Sequence, residues 1–239
     1  MIDLMNPRTV QSSARPIRRA GLRESVYESI LEMLVEGQVG EGAPLRVEAL
    51  AQLLEVSPTP VREALVQLES TGLVKYVANK GYTAAPHLSA DEKVAMMDAR
   101  LVLEVAAVRR AAELGDPSVP SHLRDVLEDQ REAASRLGGS GGEQQKDALR
   151  EFLKLDHSFH DGILHGCGNH FLFRLAATLD AQAQRMRQSF LNGIPDADDV
   201  LAEHSAIAEA IATGDPDAAE RAMRDHLERV LTLSLTQAD

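Results

Sequence analysis

The sequence predicts a mainly α protein in two parts. A short unit of three helices and a β-hairpin occupies residues 21–86, and an antiparallel all-α bundle of about six helices occupies residues 87–239. Three observations predict it. Apolar residues make up 44% of the 239-residue chain, yet aromatics are only 3% and tryptophan is absent, a balance that favours helix over sheet. Apolar positions recur at intervals of three and four along most of the chain. Charge is divided unevenly: residues 1–86 carry nine Lys/Arg against ten Asp/Glu, and residues 87–239 carry sixteen against twenty-seven. The net charge of −12 therefore belongs almost wholly to the second part, which points to two units with different tasks.

Composition also excludes several classes. Cys167 is the only cysteine, so an intrachain disulfide and a Cys-rich zinc module are both ruled out. No apolar run approaches the ~20 residues that cross a bilayer, and no hydrophobic segment follows the N-terminal arginines as in a secretory signal. A cytoplasmic location away from membranes is the expectation.

Residues 1–20 lack periodicity and are expected to form a flexible arm, basic through Arg8, Arg15, Arg18 and Arg19. From Leu22 the spacing of Leu22, Val26, Ile30 and Met33/Leu34 reads as a first helix, closed by Gly37, Gly40 and Gly42. A short second helix carries Val47, Leu50 and Leu54 on one face. The stretch "SPTPVREAL" then sets two prolines ahead of an arginine. Residues before proline are pushed towards extended backbone, so Thr59 is expected as the N-cap and Pro60 as the first helical residue, where its missing N–H is no loss. Val61, Ala64, Leu65 and Leu68 form the buried stripe of this third helix, and Gly72 suits the position past its end. Arg62 falls on the opposite side of the first turn, near the positive end of the dipole. It is either ordinary surface charge or a group aimed at phosphates and guanine edges. "LVKYV" and "GYTAA" read as two strands joined through Asn79, Lys80 and Gly81. Three helices and a hairpin in this order make a winged helix-turn-helix pattern, whose third helix enters a major groove.

The second part opens on a capping box, Ser89 with Glu92, starting a helix that lasts to about Leu114. Further helices are expected over about 118–137, 144–166, 170–192, 197–213 and 216–236, with "GGSGGE" as a flexible loop. Together they read as a bundle. Its histidines are informative. Asp156 and His160 lie one turn apart on the apolar stripe of Leu149, Phe152, Phe159 and Ile163, while His157 and His165 sit on the wet face. His204 falls among Val200, Ile207 and Ile211, and His226 among Ala219, Met223 and Leu227. One inward His is usually a hydrogen-bonded core residue. Three with an inward carboxylate suit a divalent transition ion such as zinc, nickel or manganese, and both readings stay open at this level.

Two segments resemble known families. "ALAQLLEVSPTPVREALVQLESTGLV" through "KGYTAAP" is similar to the winged-helix domain of the GntR transcriptional regulators. By that resemblance Ser57, Thr59 and Arg62 contact duplex DNA, with Lys80 and Gly81 at the wing. The chain departs from the pattern at Pro58, where members often carry arginine, and at Glu48, where a basic residue is frequent. "LDHSFHDGI", "GNHFLF" and "AEHSAIAEAIATGDPDAAERAMRDHL" resemble the FCD effector-binding domain of the FadR branch. That likeness implies a metal, zinc first, on Asp156, His160, His204 and His226, and a small carboxylate effector such as an organic or sugar acid. It also implies effector contacts at Arg100, otherwise a surface partner of Glu104, and at Arg185. Asn169 either caps the next helix or touches a ligand.

The functional expectation is a ligand-responsive regulator that binds a near-palindromic operator as a homodimer. One alternative is a metal-dependent hydrolase or oxidase built on the bundle. It is disfavoured because no H-E-x-x-H motif, Ser-His-Asp set or phosphate-cradling glycine loop is present and Glu203 points away from its neighbour His204. Another is a regulator whose bundle receives a protein partner.

Overall fold

The computed structural model describes residues 19–138, 143–188 and 197–236. Residues 1–18 of the expected arm, most of the glycine-rich loop and the end of the helix expected to reach 192 lie outside the described residues.

The first region contains α1 (Arg19–Val35), α2 (Val47–Leu53), α3 (Pro58–Ser70), β1 (Val74–Val77) and β2 (Gly81–Ala84). Its core is aliphatic: Val26, Ile30 and Leu34 of α1 meet Val61, Ala64, Leu65 and Leu68 of α3. Leu22, placed on the inner face by spacing, is instead half exposed, because it precedes the point where α1 reaches the other helices. The α3 start also differs from expectation. Ser57, extended at φ −72° and ψ 160°, is the N-cap, and Pro58 takes the first helical position. Both prolines thus fall within the first turn, where backbone N–H groups have no intrahelical acceptor, so neither removes a helical bond. The turn ahead of them passes through Glu55 at φ 55°.

β1 and β2 pair antiparallel with Val77 opposite Gly81, and Tyr76 meets Tyr82 edge-on across the ladder at 5.2 Å. Asn79 (φ 65°) and Gly81 (φ 80°) supply the left-handed backbone that a tight hairpin needs. The winged helix-turn-helix is therefore present.

The second region holds α4 (Ala90–Leu114), α5 (Ser118–Ser135), α6 (Glu143–Gly166), α7 (His170–Gln188), α8 (Ala197–Ala212) and α9 (Pro216–Thr236). The Ser89–Glu92 capping box forms in both directions and Gly115 closes α4 at φ 62°. Asn169 accepts from the N–H groups of Phe171 and Leu172, so it caps α7. α4 packs chiefly on α9, and α5 on α6 and α8. Their shared core includes Met97, Val108, Leu123, Phe152, Phe159, Ile163, Ile207, Met223 and Leu227.

α7 belongs to both regions. Ala181 is buried among the aliphatic side chains of the winged region. One residue on, Gln182 Nε2 donates to the carbonyl of Thr71, the residue that ends α3, at 3.0 Å. Gly72 makes that approach possible: it sits at φ 77°, and a Cβ there would lie 2.8 Å from Gln182 Nε2.

Candidate functional site

The four inward residues of the bundle converge. Asp156 and His160 come from α6, His204 from α8 and His226 from α9; one ligand-type atom from each lies within 4.8 Å of all the others. All four are buried, with His204 and His226 at 0% exposure. His160 and His226 approach through their Nε2 atoms at 3.3 Å, and His204 Nε2 stands 3.5 Å from Asp156 Oδ1. Phe159 stacks on His204 with ring centroids 4.1 Å apart and planes 6° from parallel, which fixes the imidazole in the apolar interior.

What turns each ring is on its far side. His160 Nδ1 is 2.6 Å from Glu104 Oε2, His226 Nδ1 is 2.8 Å from Glu203 Oε2, and His204 Nδ1 is 3.1 Å from Gln130 Oε1. Each neighbour is an oxygen acceptor, so each Nδ1 carries the proton and each Nε2 presents a lone pair to the centre. Two such lone pairs 3.3 Å apart repel unless a cation or proton lies between them. A tetrahedral ion with bonds of about 2.0–2.1 Å spaces neighbouring ligands by roughly 3.3 Å, so the His160–His226 and His204–Asp156 separations fit one. The donor set and its oriented outer partners thus fit a divalent transition ion.

Glu104 is the pivot of the outer ring. It accepts from Arg100 Nε at 2.6 Å, and this pair is almost wholly buried, at 4% and 6% side-chain exposure. Of the two readings of Arg100, the pairing with Glu104 is present but interior and not at the surface, since α4 turns that face onto α6. Burial pushes the Glu104 carboxyl up, but Arg100 and His160 outweigh it and hold it well below the usual carboxylate range. Glu203 is less strongly held: burial pushes it up, and Arg229 partly offsets this. A cavity of about 40 Å³ borders this cluster, lined in part by Arg100, Glu104, His160, Phe173 and Asp180. Of the two arginines singled out in the sequence, Arg100 faces this cavity. Arg185 does not line it; it lies at the region boundary, its Nη1 3.4 Å from the carbonyl of Pro86.

Sequence reasoning missed Gln130 and Glu203 as partners. Glu203 does point away from His204, its neighbour on α8, but it turns towards His226 on α9. Gln130 carries no signal in the sequence beyond lying on the buried face of α5.

On the winged region Ser57, Thr59, Arg62 and Lys80 are exposed and Gly81 is half exposed. The first three share the opening turns of α3 and the last two the hairpin tip. Arg62 Nη2 reaches Glu48 of α2 at 3.3 Å, an exposed pair (62% and 75%) of the kind worth little in water. The guanidinium therefore remains available to a stronger partner.

Comparison with known proteins agrees with both halves. Residues 22–83 match the model of "Bacterial regulatory proteins, gntR family", and residues 95–229 match the FCD domain. The chain is 30% identical over 217 residues to an uncharacterized HTH-type transcriptional regulator in an unstable DNA locus of Streptomyces ambofaciens, covering 87% of this chain and 83% of that one. It is 26% identical over 228 residues to the HTH-type transcriptional repressor RspR of Escherichia coli, covering 93% and 92%. The solved structure of E. coli McbR/YncC shares the fold with a TM-score of 0.77 at 20% identity, covering 91% of this chain and 99% of that one. No helix among the described residues is long and apolar enough to cross a membrane. The chain thus belongs to the gntR family of bacterial regulatory proteins, with an FCD domain behind its winged helix-turn-helix, and is a DNA-binding transcriptional regulator and not an enzyme.

Proposed function

We propose that this protein is a metal-containing, carboxylate-responsive transcriptional repressor of the cytoplasm. It binds a near-palindromic operator as a homodimer, each copy setting one α3 into a major groove. Ser57, Thr59 and Arg62 face the duplex from the start of α3, and Lys80 and Gly81 reach it from the wing. The name of the E. coli relative supports repression. The observation that carries the sensing half is the convergence of Asp156, His160, His204 and His226 from three helices, with every imidazole turned inward by a hydrogen-bond acceptor.

In this reading the four residues hold zinc, with nickel or manganese as the other candidates, and the ion supplies a Lewis-acidic point for a carboxylate. Arg100 stands on the wall of the adjacent cavity, where its guanidinium adds a second positive group for a small organic or sugar acid. Asp180 of α7 lines the same cavity, and the next two residues, Ala181 and Gln182, hold the winged region. A ligand that displaces α7 therefore acts directly on the end of α3. The effect on DNA affinity equals the difference in ligand affinity between the two arrangements.

The metal is tested by content. Chelator-treated protein incubated with zinc and desalted is expected to retain about one ion per chain, and protein carrying Asp156→Ala with His226→Ala none. Equal retention by both proteins places the ion elsewhere and removes this assignment.

A further inference from the structure

Arg185 has an environment unlike that of Arg100. Both are buried, at 3% and 4% exposure, but Arg100 has Glu104 at 2.6 Å. Among the described residues no carboxylate lies within ion-pair distance of Arg185. Its one hydrogen bond among the described residues is the long contact to the Pro86 carbonyl, and its Nε meets no acceptor there. A buried guanidinium in that state is costly, and burial accordingly lowers its pKa, with Glu41 only partly opposing.

Two further basic groups share its cavity. Lys93 Nζ is anchored by one bond to the Ser234 carbonyl at 2.8 Å, which leaves it two more N–H donors. His87 is held by Glu41 through its backbone N–H at 2.8 Å and borders the same space. The cavity measures about 50 Å³, several times the roughly 10–15 Å³ that a water needs, so a small oxyanion fits. In a chain of net charge −12, two cations and a histidine face this one cavity, and the two cations outnumber the nearby Glu41 carboxylate, which stands 3.6 Å from the His87 ring.

We propose that Arg185, Lys93 and His87 bind a small oxyanion, a carboxylate or phosphate group, at the junction between the winged region and the bundle. This site is separate from the cavity beside the four-residue cluster, since neither cavity is lined by the other's cations. The guanidinium offers a planar fork to two oxygens of the anion and Lys93 a point charge to a third contact. Its position gives it a task. His87 lies in the connection between β2 and α4, Arg185 lies on α7, and Lys93 ties α4 to the end of α9. An anion held by all three fastens the connection beneath the wing to the bundle, so occupancy sets how rigidly the DNA-reading unit is carried.

The test is thermal melting of the full-length, chelator-treated protein against sodium phosphate, sodium acetate and, at matched ionic strength, sodium chloride. A saturable rise in Tm with phosphate or acetate above the chloride control is expected, and the more effective salt identifies the source of the oxyanion. Arg185→Gln should melt at least as high as wild type without anion, because an uncompensated buried charge is gone, and should need about tenfold or more anion for the same rise. Should that variant not fold, Lys93→Gln carries the comparison, with a several-fold weaker response expected. An equal response in the folded variant, or no saturable rise in wild type above chloride, overturns the site.

Discussion

The two regions treat polar side chains in opposite ways. Among the described residues every buried side chain of the winged region is apolar, and the charged and hydroxyl groups at the start of α3 and the hairpin tip stand outside. The FCD domain does the reverse. Arg100, Glu104, Gln130, Asp156, His160, Arg185, His204 and His226 are all buried there. A winged helix recognises something larger than itself, so its chemistry belongs on the surface and its core has only to be rigid. A domain that recognises something smaller must bring its polar groups inside and orient each with another, because an unpaired buried charge is expensive. Under the proposed function the contrast predicts where mutations divide: inner polar groups should carry stability and sensing together, and outer ones recognition alone.

The largest expected effect tests the inner half. Glu104→Ala removes the acceptor of both Arg100 and His160 and should destabilise the FCD domain by about 3–5 kcal/mol in urea unfolding, the usual cost of stranding a buried charge. A loss below ~1 kcal/mol would mean that water reaches this pair and that the interior is less closed than described. Next comes the outer half. Arg62→Ala should weaken operator binding by about 1–3 kcal/mol, roughly tenfold to a hundredfold, in fluorescence anisotropy while leaving the melting curve in place. A matched fall in Tm would give Arg62 a structural role and erase the contrast. The smallest effect lies on the boundary. Gln182→Ala deletes one side chain–carbonyl bond, costing about 0.5–1.5 kcal/mol of stability. Its sharper signature is a weakened response of DNA affinity to ligand with ligand binding itself retained; an intact response would move the coupling to another contact.

Much of this contrast is legible in the sequence because periodicity reports which way a side chain faces on its own helix. Asp156, His160, His204 and His226 read as inward for that reason, and Arg62 as outward. Periodicity does not say which helix lies opposite. Glu203 therefore reads as remote from His204, correctly, while its partnership with His226 depends on how α8 meets α9. Arg100 and Glu104 pair in either environment, so only the packing of α4 on α6 decides that their pair is interior. Arg185 is a related case: a buried position on α7 is readable, but the neighbour it meets is the connection after β2, 99 residues earlier in the chain. The misplaced α3 start has a local cause. Both prolines satisfy the first turn, so proline chemistry alone does not choose between Pro58 and Pro60; in the structure Ser57 is the N-cap and Pro58 the first helical residue.

The central claim is that an ion-held interior governs an outward-facing DNA reader. The most direct measurement is the operator dissociation constant of zinc-loaded and chelator-stripped protein, each with and without an acid that raises the Tm of the loaded form. The account predicts that the acid shifts affinity by about fivefold or more in the zinc-loaded protein and leaves the stripped protein unchanged. The same dissociation constant in all four states would contradict it.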